Sequence, residues 1–354
     1  MIPLILSAMF AVHVGPADPG APARAPQLAA NSSTVALTFG AGKTIYFSAS
    51  HDGGKTFPAP AKVAEAGVLP LSRHRGPRVA ISGNAIVVTA VAGNKPGEGP
   101  HAHGLPSDGD LYAWRSVDGG KTWSQGKPIN DVPGSATEGL HALASDGKGA
   151  LFAAWLDKRG AEGTRLYASR STDNGASWST NILVYRSPDG SICECCHPSV
   201  AIDSAGRLLV MWRNALGGAR DMYLASSRDG VTFSAPEKLG NGTWQLNACP
   251  MDGGGLAVSP AKILTAWRRD GRIFLAEPGQ PERQVGAGKD VALALSGKRV
   301  YAVWSNGAGL QSWNDGKLEA LSSAGAFPSL CALPAGGALA AWEEVGVILI
   351  RRLP

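Results

Sequence analysis

Four short segments of this 354-residue chain repeat one pattern, and that repetition constrains the fold more than any other feature. Three of them fit Ser-x-Asp-x-Gly-x-Thr/Ser-Trp/Phe in full, and the fourth lacks one residue after its Asp. The Asp-Gly or Asp-Asn-Gly centre suits a tight turn that needs positive φ, and the Asp and Ser side chains can hydrogen-bond the turn amides. We therefore predict structural rather than catalytic roles for the four Asp residues, which are Asp52, Asp118, Asp173 and Asp229.

A strand-like run precedes each of these segments, and a second pattern lies further upstream. Residues 198–212 and 328–342 align without a gap, each as a strand, a tight turn and a second strand that closes on Trp. Seven such strand pairs can be counted, and no long helical period interrupts them. Units of three or four strands that recur about every 40 to 55 residues are typical of a β-propeller. The sequence predicts an all-β propeller with seven repeat units.

The number and distribution of charged residues argue against a nucleic-acid partner. The chain holds 33 basic and 28 acidic residues, for a net charge of +5, and no basic run is longer than two residues. Nucleic-acid binding proteins concentrate Lys and Arg in patches or arms. We therefore expect no nucleic-acid partner, whereas a basic rim that attracts small anionic ligands is compatible with this balance.

The four segments resemble the Asp-box, or BNR repeat, of the sialidase superfamily, and the likeness covers roughly Leu28 to Leu353. Stretches such as EGLHALAS, SPDGSICECCHPSV and LNACPMDGGG are similar to exported bacterial proteins described as sialidase-like. The resemblance implies a β-propeller, and because sialidases have six blades, six remains the alternative to the seven units counted here. We expect one propeller domain over residues 26–354.

The first 25 residues differ in composition from the rest. An apolar run from Ile2 to Val14 is followed by a stretch rich in Pro, Ala and Gly. The run is too short to span a bilayer, and it fits either a signal peptide or a buried strand. We interpret residues 1–25 as a signal-peptide-like and linker segment and predict an exported protein without a stable membrane span. An N-terminal strand that completes the last unit is compatible with the same residues.

Polar residues are concentrated where inner strands begin and second strands end, which is one face of a propeller. Sialidases bind the substrate carboxylate with three arginines and use an Asp acid/base and a Tyr nucleophile assisted by Glu, and the Arg fork suits a carboxylate. By position, the resemblance implies catalytic candidates at Asp108, Asp110, Glu138 and Asp157. The substrate-binding candidates are Arg78, His141, Arg159, Arg213, Arg220 and Arg268. No late Tyr is well placed, because Tyr301 begins a second strand and belongs to the opposite face.

Residues 191–200 read SICECCHPSV and hold three of the five cysteines. A disulfide between Cys249 and one of Cys193, Cys195 or Cys196 is one interpretation, favoured in exported compartments. A copper or zinc site is the second, with His197 and Met251 as further ligands and His141, or His101 and His103, as additions. A reactive thiol is the third, because the cysteine count is odd.

Two functions follow as hypotheses. The first is an exported sialidase-like propeller that binds, and in one version hydrolyses, an anionic glycan or small-molecule ligand through its arginine-rich face. The alternative is a non-enzymatic propeller that binds copper, zinc or a protein partner through the Cys/His/Met cluster.

Overall fold

Residues 11–15, 20–99, 102, 104–160 and 162–354 are described by the computed structural model, and they hold 28 β-strands in seven four-stranded sheets. In six of the blades the four strands are consecutive in the chain. Blade one consists of β2 (Ala23–Ala30), β3 (Val35–Ala41), β4 (Thr44–Ser50) and β5 (Ala61–Glu65), and blade two of β6 (Arg78–Ser82), β7 (Ala85–Ala92), β8 (Asp110–Ser116) and β9 (Lys127–Pro128). Blade three consists of β10 (His141–Ser145), β11 (Leu151–Asp157), β12 (Arg165–Ser171) and β13 (Ile182–Tyr185). Blade four is β14 (Ser199–Ile202), β15 (Leu208–Arg213), β16 (Met222–Ser227) and β17 (Glu237–Lys238); blade five is β18 (Gly255–Val258), β19 (Ile263–Arg269), β20 (Arg272–Ala276) and β21 (Arg283–Ala287); blade six is β22 (Lys289–Ser296), β23 (Arg299–Ser305), β24 (Leu310–Asn314) and β25 (Lys317–Ser322). Blade seven combines β26 (Ala326–Ala332), β27 (Ala338–Glu344) and β28 (Val347–Leu353) with the N-terminal β1 (Val12–Val14).

The seven sheets form a closed ring. Each inner strand contacts the inner strand of the next blade, and β26 of blade seven contacts β2 of blade one. The all-β propeller with seven units is therefore confirmed, and the six-blade alternative is wrong. No helix occurs among the described residues, and none of them forms a helix long and apolar enough to cross a membrane.

The core is divided among the contacts between blades. Each of the seven hydrophobic clusters that the described residues form draws on two neighbouring blades, as where Phe152 of blade three meets Trp212 of blade four. The tryptophans that close second strands, such as Trp155, Trp212 and Trp304, are fully buried. Burying an aromatic side chain stabilises by roughly 1.5–3 kcal/mol, so these positions fix how the blades pack.

Strand β1 completes blade seven from the other end of the chain. It pairs antiparallel with β28, where Val12 faces Ile350 and Val14 faces Ile348, and Val14 is buried against blade seven. An N-terminal strand in the last unit is thus confirmed. Of the segment predicted to precede the propeller, residues 12–14 and 23–25 lie inside blades, and residues 1–10 and 16–19 lie outside the described part.

The Asp-box turns join third and fourth strands, at the end of the blades opposite the beginnings of the inner strands. In the first box, Asp52 accepts hydrogen bonds from the Lys55 and Thr56 amides at 2.9 and 3.0 Å, and Ser50 Oγ accepts from the Gly54 amide at 2.9 Å. The box aromatic of blade two, Trp123, packs edge-on against Phe47 of blade one at 5.2 Å. The same Asp and Ser contacts recur in the other boxes, around Asp118, Asp173 and Asp229. These contacts support the predicted structural role.

Replacing Asp173 with asparagine is expected to reduce stability at neutral pH and to flatten its dependence on acid. Hydrogen bonding to the Ser177 side chain, opposed by desolvation and supported by further bonds, lowers the pKa of Asp173 to about 2. A carboxyl with a depressed folded-state pKa contributes stability above its unfolded pKa of about 3.9, and this contribution is lost as the pH falls towards 2. Because the group is exposed, we expect a loss below about 1 kcal/mol.

Urea unfolding at neutral pH and at successive pH values below 4 measures this effect. Asp270→Asn is the matched control, because Asp270 is exposed in a turn outside the boxes. Equal loss of stability in acid for wild type and Asp173→Asn contradicts the prediction.

Candidate functional site

A cavity of about 250 Å³ lies on the propeller axis, near the beginnings of the inner strands. All seven inner strands contribute to its wall, so its position follows from ring closure rather than from any one loop. Most of the residues that line it are Leu, Val, Ala, Pro or Gly. The polar side chains that line it are Gln27, His74, Arg78, His197, Ser199 and Ser329.

Arg78 brings a permanent charge to this wall. It is the first residue of β6, and its guanidinium donates to the carbonyl oxygens of Gly76 at 3.2 Å, Pro77 at 3.1 Å and His74. Burial lowers the pKa of Arg78 to about 10, so the group stays cationic at neutral pH. Among the described residues no Asp or Glu forms an ion pair with it.

One acidic residue shares a neighbouring space with Arg78. Glu343 lines a small adjoining cavity, where its Oε2 accepts a hydrogen bond from the Ala25 amide at 3.1 Å. Burial raises the pKa of Glu343. Glu343 shares this space with Arg78 but forms no ion pair with it.

Two histidines stack beside Arg78. The rings of His74 and His197 lie 4.0 Å apart, and His74 Nε2 is 2.9 Å from Asp290 Oδ1. His197 is held by blade five, because its Nδ1 accepts from the Gly253 amide at 3.2 Å and its Nε2 lies 3.0 Å from the Gly254 carbonyl oxygen. Burial, and then the positive charge of its neighbours, lowers the pKa of His197 well below its usual value, so this ring is neutral.

Backbone strain also collects at this end of the ring. His74, Met251, Asp290 and Phe327 all have φ between 50° and 60°, and each stands at or just before the beginning of an inner strand. Non-glycine residues adopt this region at a cost of roughly 1–3 kcal/mol, and such residues cluster at functional sites. The positive φ of His74 and Asp290 is therefore a second observation that marks the axial end.

The structure does not bring the predicted arginines together. Arg213 is fully buried, and it donates to the Asp252 and Arg268 carbonyl oxygens at 2.8 Å each and to that of Arg220. Arg159 forms a two-point contact with Asp157 at 2.8 and 2.9 Å. These two side chains hold loops in place and neither lines the axial cavity, and their substrate role stays a prediction.

The remaining predicted binding residues also lie away from the axial wall. Arg268 lies over the Trp244 ring at 5.3 Å, and Arg220 lines a separate cavity near the cysteines. His141 is fully buried, with Nε2 3.0 Å from Thr89 Oγ1, and burial followed by the Arg78 charge lowers its pKa well below the usual value. Of the predicted binding residues, Arg78 alone lines the axial cavity.

The predicted catalytic acids are fixed in loops outside the cavity. Asp108 accepts from the amides of Asn94 and Lys95, both at 2.9 Å. Asp110 accepts from the Asn130 side chain and the Gly134 amide at 2.6 Å.

Asp157 and Glu138 also have hydrogen-bond or ion-pair partners outside the axial cavity. Asp157 is fully buried and accepts from Ser135 Oγ at 2.9 Å and Trp155 Nε1 at 2.8 Å. Glu138 pairs with Lys158 at 2.5 Å. None of the four acids lines the axial cavity, and their catalytic role stays a prediction. Tyr301 is buried and its hydroxyl donates to the Pro354 carbonyl oxygen at 3.0 Å, away from the axial cavity as expected.

The cysteine cluster lies between blades four and five. Cys195 and Cys249 form a disulfide, which confirms the predicted pairing of Cys249 and identifies its partner. Cys193 Sγ lies 2.8 Å from Cys196 Sγ and 3.8 Å from Cys195 Sγ. Hydrogen bonding to Cys196, opposed by desolvation and supported by the Arg213 charge, lowers the pKa of Cys193, whereas burial raises that of the distant Cys331 to about 12.

Two predicted metal ligands have other partners. Both ring nitrogens of His197 meet backbone groups, and Met251 Sδ accepts from Arg73 at 3.7 Å. His101 and His103 lie outside the described residues. The copper or zinc prediction therefore depends on the sulfurs of Cys193, Cys195 and Cys196, which lie within 4.8 Å of one another.

Sequence reasoning missed Asp290 and passed over His74. The signal for His74 was present, because it stands with Arg75 and Arg78 just before an inner strand. Asp290 begins such a strand too, in blade six, but no motif surrounds it. Its position in the ring becomes visible only when the register of all seven inner strands is known.

Comparisons with known proteins agree with this architecture. The model of a family described as a BNR repeat-like domain matches residues 100–314, more than half of the chain. Among curated proteins none matches the sequence.

Three solved structures illustrate the structural likeness. A Hadza microbial sialidase has a TM-score of 0.52 at 13% identity, covering 90% of this chain and 75% of its own. The intramolecular trans-sialidase of Ruminococcus gnavus, in complex with oseltamivir carboxylate, has 0.51 at 12%, and an ulvan lyase bound to a GlcA-Rha3S saccharide has 0.53 at 11%. In both, 94% of each chain is covered. At these identities the likeness establishes the propeller fold.

Proposed function

The chain belongs to the family of BNR repeat-like domains, and from that premise we propose that it binds an acidic saccharide in the axial cavity, with Arg78 meeting the ligand's carboxylate. The other polar groups of the wall, on Gln27, Ser199 and Ser329, then face the ligand's hydroxyls. Sugars present many hydroxyls and few apolar groups, which matches a wall of amide, hydroxyl and backbone groups.

The observation that carries this proposal is the buried, unpaired charge of Arg78. Taking a guanidinium out of water is costly unless an anion compensates it, and buried charges in proteins are normally paired. Three carbonyl oxygens accept from Arg78, which leaves the net charge uncompensated. A ligand carboxylate supplies the missing negative charge through a charge-assisted, fork-shaped contact.

We propose that the protein binds the saccharide, and whether it also hydrolyses the saccharide is a separate measurement. The four acids expected to perform catalysis are used within loops, as described above. The similar solved structures include a sialidase, a trans-sialidase and an ulvan lyase, and their names support an acidic glycan as the ligand class for this chain.

An oxidising location fits the same proposal. The Cys195–Cys249 disulfide lies at the surface end of the cysteine cluster, and such bonds persist in periplasmic and extracellular compartments. Acidic polysaccharides are also found outside cells. We therefore propose that the protein is exported and meets its ligand there.

Calorimetric titration with N-acetylneuraminate, glucuronate and the methyl ester of glucuronate tests the binding proposal. We expect the two acids to bind and the neutral ester to bind at least tenfold more weakly, since a buried charge contact contributes roughly 2–5 kcal/mol. Arg78→Met is expected to abolish the preference for acids. Arg299→Met, at the exposed first residue of β23, is the matched control.

A second variant separates binding from folding. Arg78→Met removes three hydrogen bonds to carbonyls, so its unfolding curve must be measured beside its affinity. Ala292→Phe fills the cavity and removes no polar group, and it is expected to weaken binding of both acids. Equal affinity of wild type for acid and ester, or full affinity in Ala292→Phe, overturns the proposal. Release of the fluorophore from a fluorogenic sialoside by the wild-type protein would show that it also hydrolyses the glycosidic bond.

A further inference from the structure

Four of the five cysteines form a continuous row of sulfur atoms that runs from the surface inward. Cys249 is exposed, and its disulfide partner Cys195 is half-buried. Cys193 Sγ lies 3.8 Å from Cys195 Sγ, and Cys196 Sγ lies 2.8 Å from Cys193 Sγ and 4.0 Å from Cys195 Sγ, so the inner part of the row is a triangle of three sulfurs. A disulfide that served only to join blades four and five needs two of these residues, so the other two require an explanation.

The outer end of this row opens into a cavity of about 300 Å³, separate from the axial one. Its wall includes both sulfur-bearing residues of the disulfide together with Cys193, and Arg220 and Glu194 stand at its side. The disulfide is therefore accessible to a small molecule, although Cys193 and Cys196 are buried. Accessible disulfides exchange with thiols more readily than buried ones.

The inner end of the row is held by the backbone. The Cys196 amide donates to the Cys193 carbonyl oxygen at 3.3 Å, and the Cys193 amide donates to the Arg213 carbonyl oxygen at 3.1 Å. This turn keeps two sulfurs with Cys-x-x-Cys spacing side by side, an arrangement that stabilises thiolates in redox proteins. The lowered pKa of Cys193 agrees with that environment.

We propose that these four cysteines form a thiol–disulfide exchange centre that reacts with small thiols in the 300 Å³ cavity. In the internal step, the Cys193 thiolate attacks Cys195 Sγ, the Cys195–Cys249 bond breaks, and Cys249 leaves as a thiolate that takes up a proton. Cys196 then loses its proton and its sulfur attacks Cys193 Sγ, and Cys195 leaves as a thiolate that takes up a proton. One disulfide is broken and one is formed overall, so the step needs no external oxidant.

The external step changes the oxidation state. Two molecules of a small thiol reduce the Cys195–Cys249 disulfide by two electrons: the first thiolate attacks Cys249 Sγ and releases Cys195, and the second attacks the mixed disulfide and releases Cys249. The products are one small-molecule disulfide and two protein thiols. This centre uses none of the residues that line the axial cavity, so its test is independent of the saccharide proposal.

Redox titration of the full chain with glutathione as the probe tests the centre. The protein is equilibrated in buffers of varied reduced and oxidised glutathione, quenched with acid, alkylated, and mapped by mass spectrometry, while circular dichroism reports folding. We expect the Cys195–Cys249 disulfide to open and re-form reversibly in the folded protein. A peptide linked through Cys193 and Cys196 is expected to appear in the oxidised samples.

Single Cys→Ser variants identify which sulfur atoms take part in the exchange. In Cys193→Ser and in Cys196→Ser the inner linkage is lost while Cys195–Cys249 remains, whereas the buried and remote Cys331→Ser behaves as wild type. The wild-type map does not depend on any variant folding. A Cys195–Cys249 disulfide that resists glutathione, with no Cys193–Cys196 linkage, overturns the proposal. Stoichiometric copper or zinc in the purified protein, with the cluster thiols blocked from alkylation, overturns it as well.

Discussion

Replacing Arg213 with leucine is expected to lower the free energy of unfolding by about 3 kcal/mol or more, because each unsatisfied buried polar group costs roughly 1–3 kcal/mol. Arg213 ends β15 and joins blade four to blade five by donating to three backbone carbonyl oxygens. Leucine fills part of the same space but has no donor. Removing the buried charge offsets part of the loss, and three carbonyls without partners outweigh that gain.

Urea unfolding followed by tryptophan fluorescence measures this loss. Arg220→Leu is the matched control, since its Nε makes one long contact of 3.4 Å and its side chain is half-buried. We expect the control to stay within about 1 kcal/mol of wild type. If Arg213→Leu were as stable as the control, the assignment of Arg213 as a structural residue would be wrong, and a ligand role would return.

Replacing Gly253 with alanine is expected to destabilise the protein by about 3 kcal/mol, the upper range for an overpacked core. An added Cβ would stand 1.8 Å from the His197 carbonyl oxygen and 2.7 Å from its carbonyl carbon. Both partners are backbone atoms, so no side chain can rotate away, and blades four and five must separate locally. Because the Gly253 amide also holds the His197 ring, the axial cavity should lose its shape and its affinity for acidic saccharides.

Gly271→Ala separates crowding from the ordinary cost of losing a glycine. Gly271 has φ +70° and no atom within 4 Å of an added Cβ, so it should lose only about 1–2 kcal/mol from backbone conformation. Chemical unfolding and ligand titration of both variants give the comparison. A Gly253→Ala protein with the stability and affinity of Gly271→Ala would show that the two blades are not in rigid contact at this position.

The propeller could be predicted from the sequence because its signals are local. A box such as Ser116–Trp123 contains its own turn, its own hydrogen bonds and its own packing aromatic, and each copy reports independently on one blade. Strand pairs joined by a tight turn, five of them ending in Trp, indicated seven units for the same reason. The blade number was therefore readable from residues that are close in sequence.

The candidate site was harder to predict from the sequence, because an arginine can either hold the backbone in place or face a ligand. Arg213 and Arg78 both stand at the axial ends of strands, and a sequence pattern cannot tell which one turns inward to backbone carbonyls and which one faces a cavity. Asp157 illustrates the same limit: its neighbour Arg159 folds back on it, which converts a candidate acid into a buried ion pair. Side-chain direction depends on packing between blades, and single-strand patterns do not contain that information.

The arrangement of the cysteines could be predicted only in part. Placing the cysteines of residues 193–196 and Cys249 before adjacent inner strands was enough to propose a disulfide between the two groups, but not to choose the partner of Cys249 among Cys193, Cys195 and Cys196. The separation of Cys193 from Cys195, and the cavity beside them, depend on how the loop before β14 coils, which the sequence does not reveal.

The pairing of β1 with β28 has a kinetic consequence. Val12 pairs with Ile350, and six complete blades lie between them in the sequence, so the ring can close only after those blades have been synthesised. Contacts between residues so remote in sequence form slowly, and a strand edge left unpaired meanwhile is prone to association with other chains. Blades one to six each consist of consecutive strands and can assemble as they emerge, while blade seven needs β1 and β28 from opposite sides of those six blades. Its formation is therefore expected to be the last step of folding, and its opening the first step of unfolding.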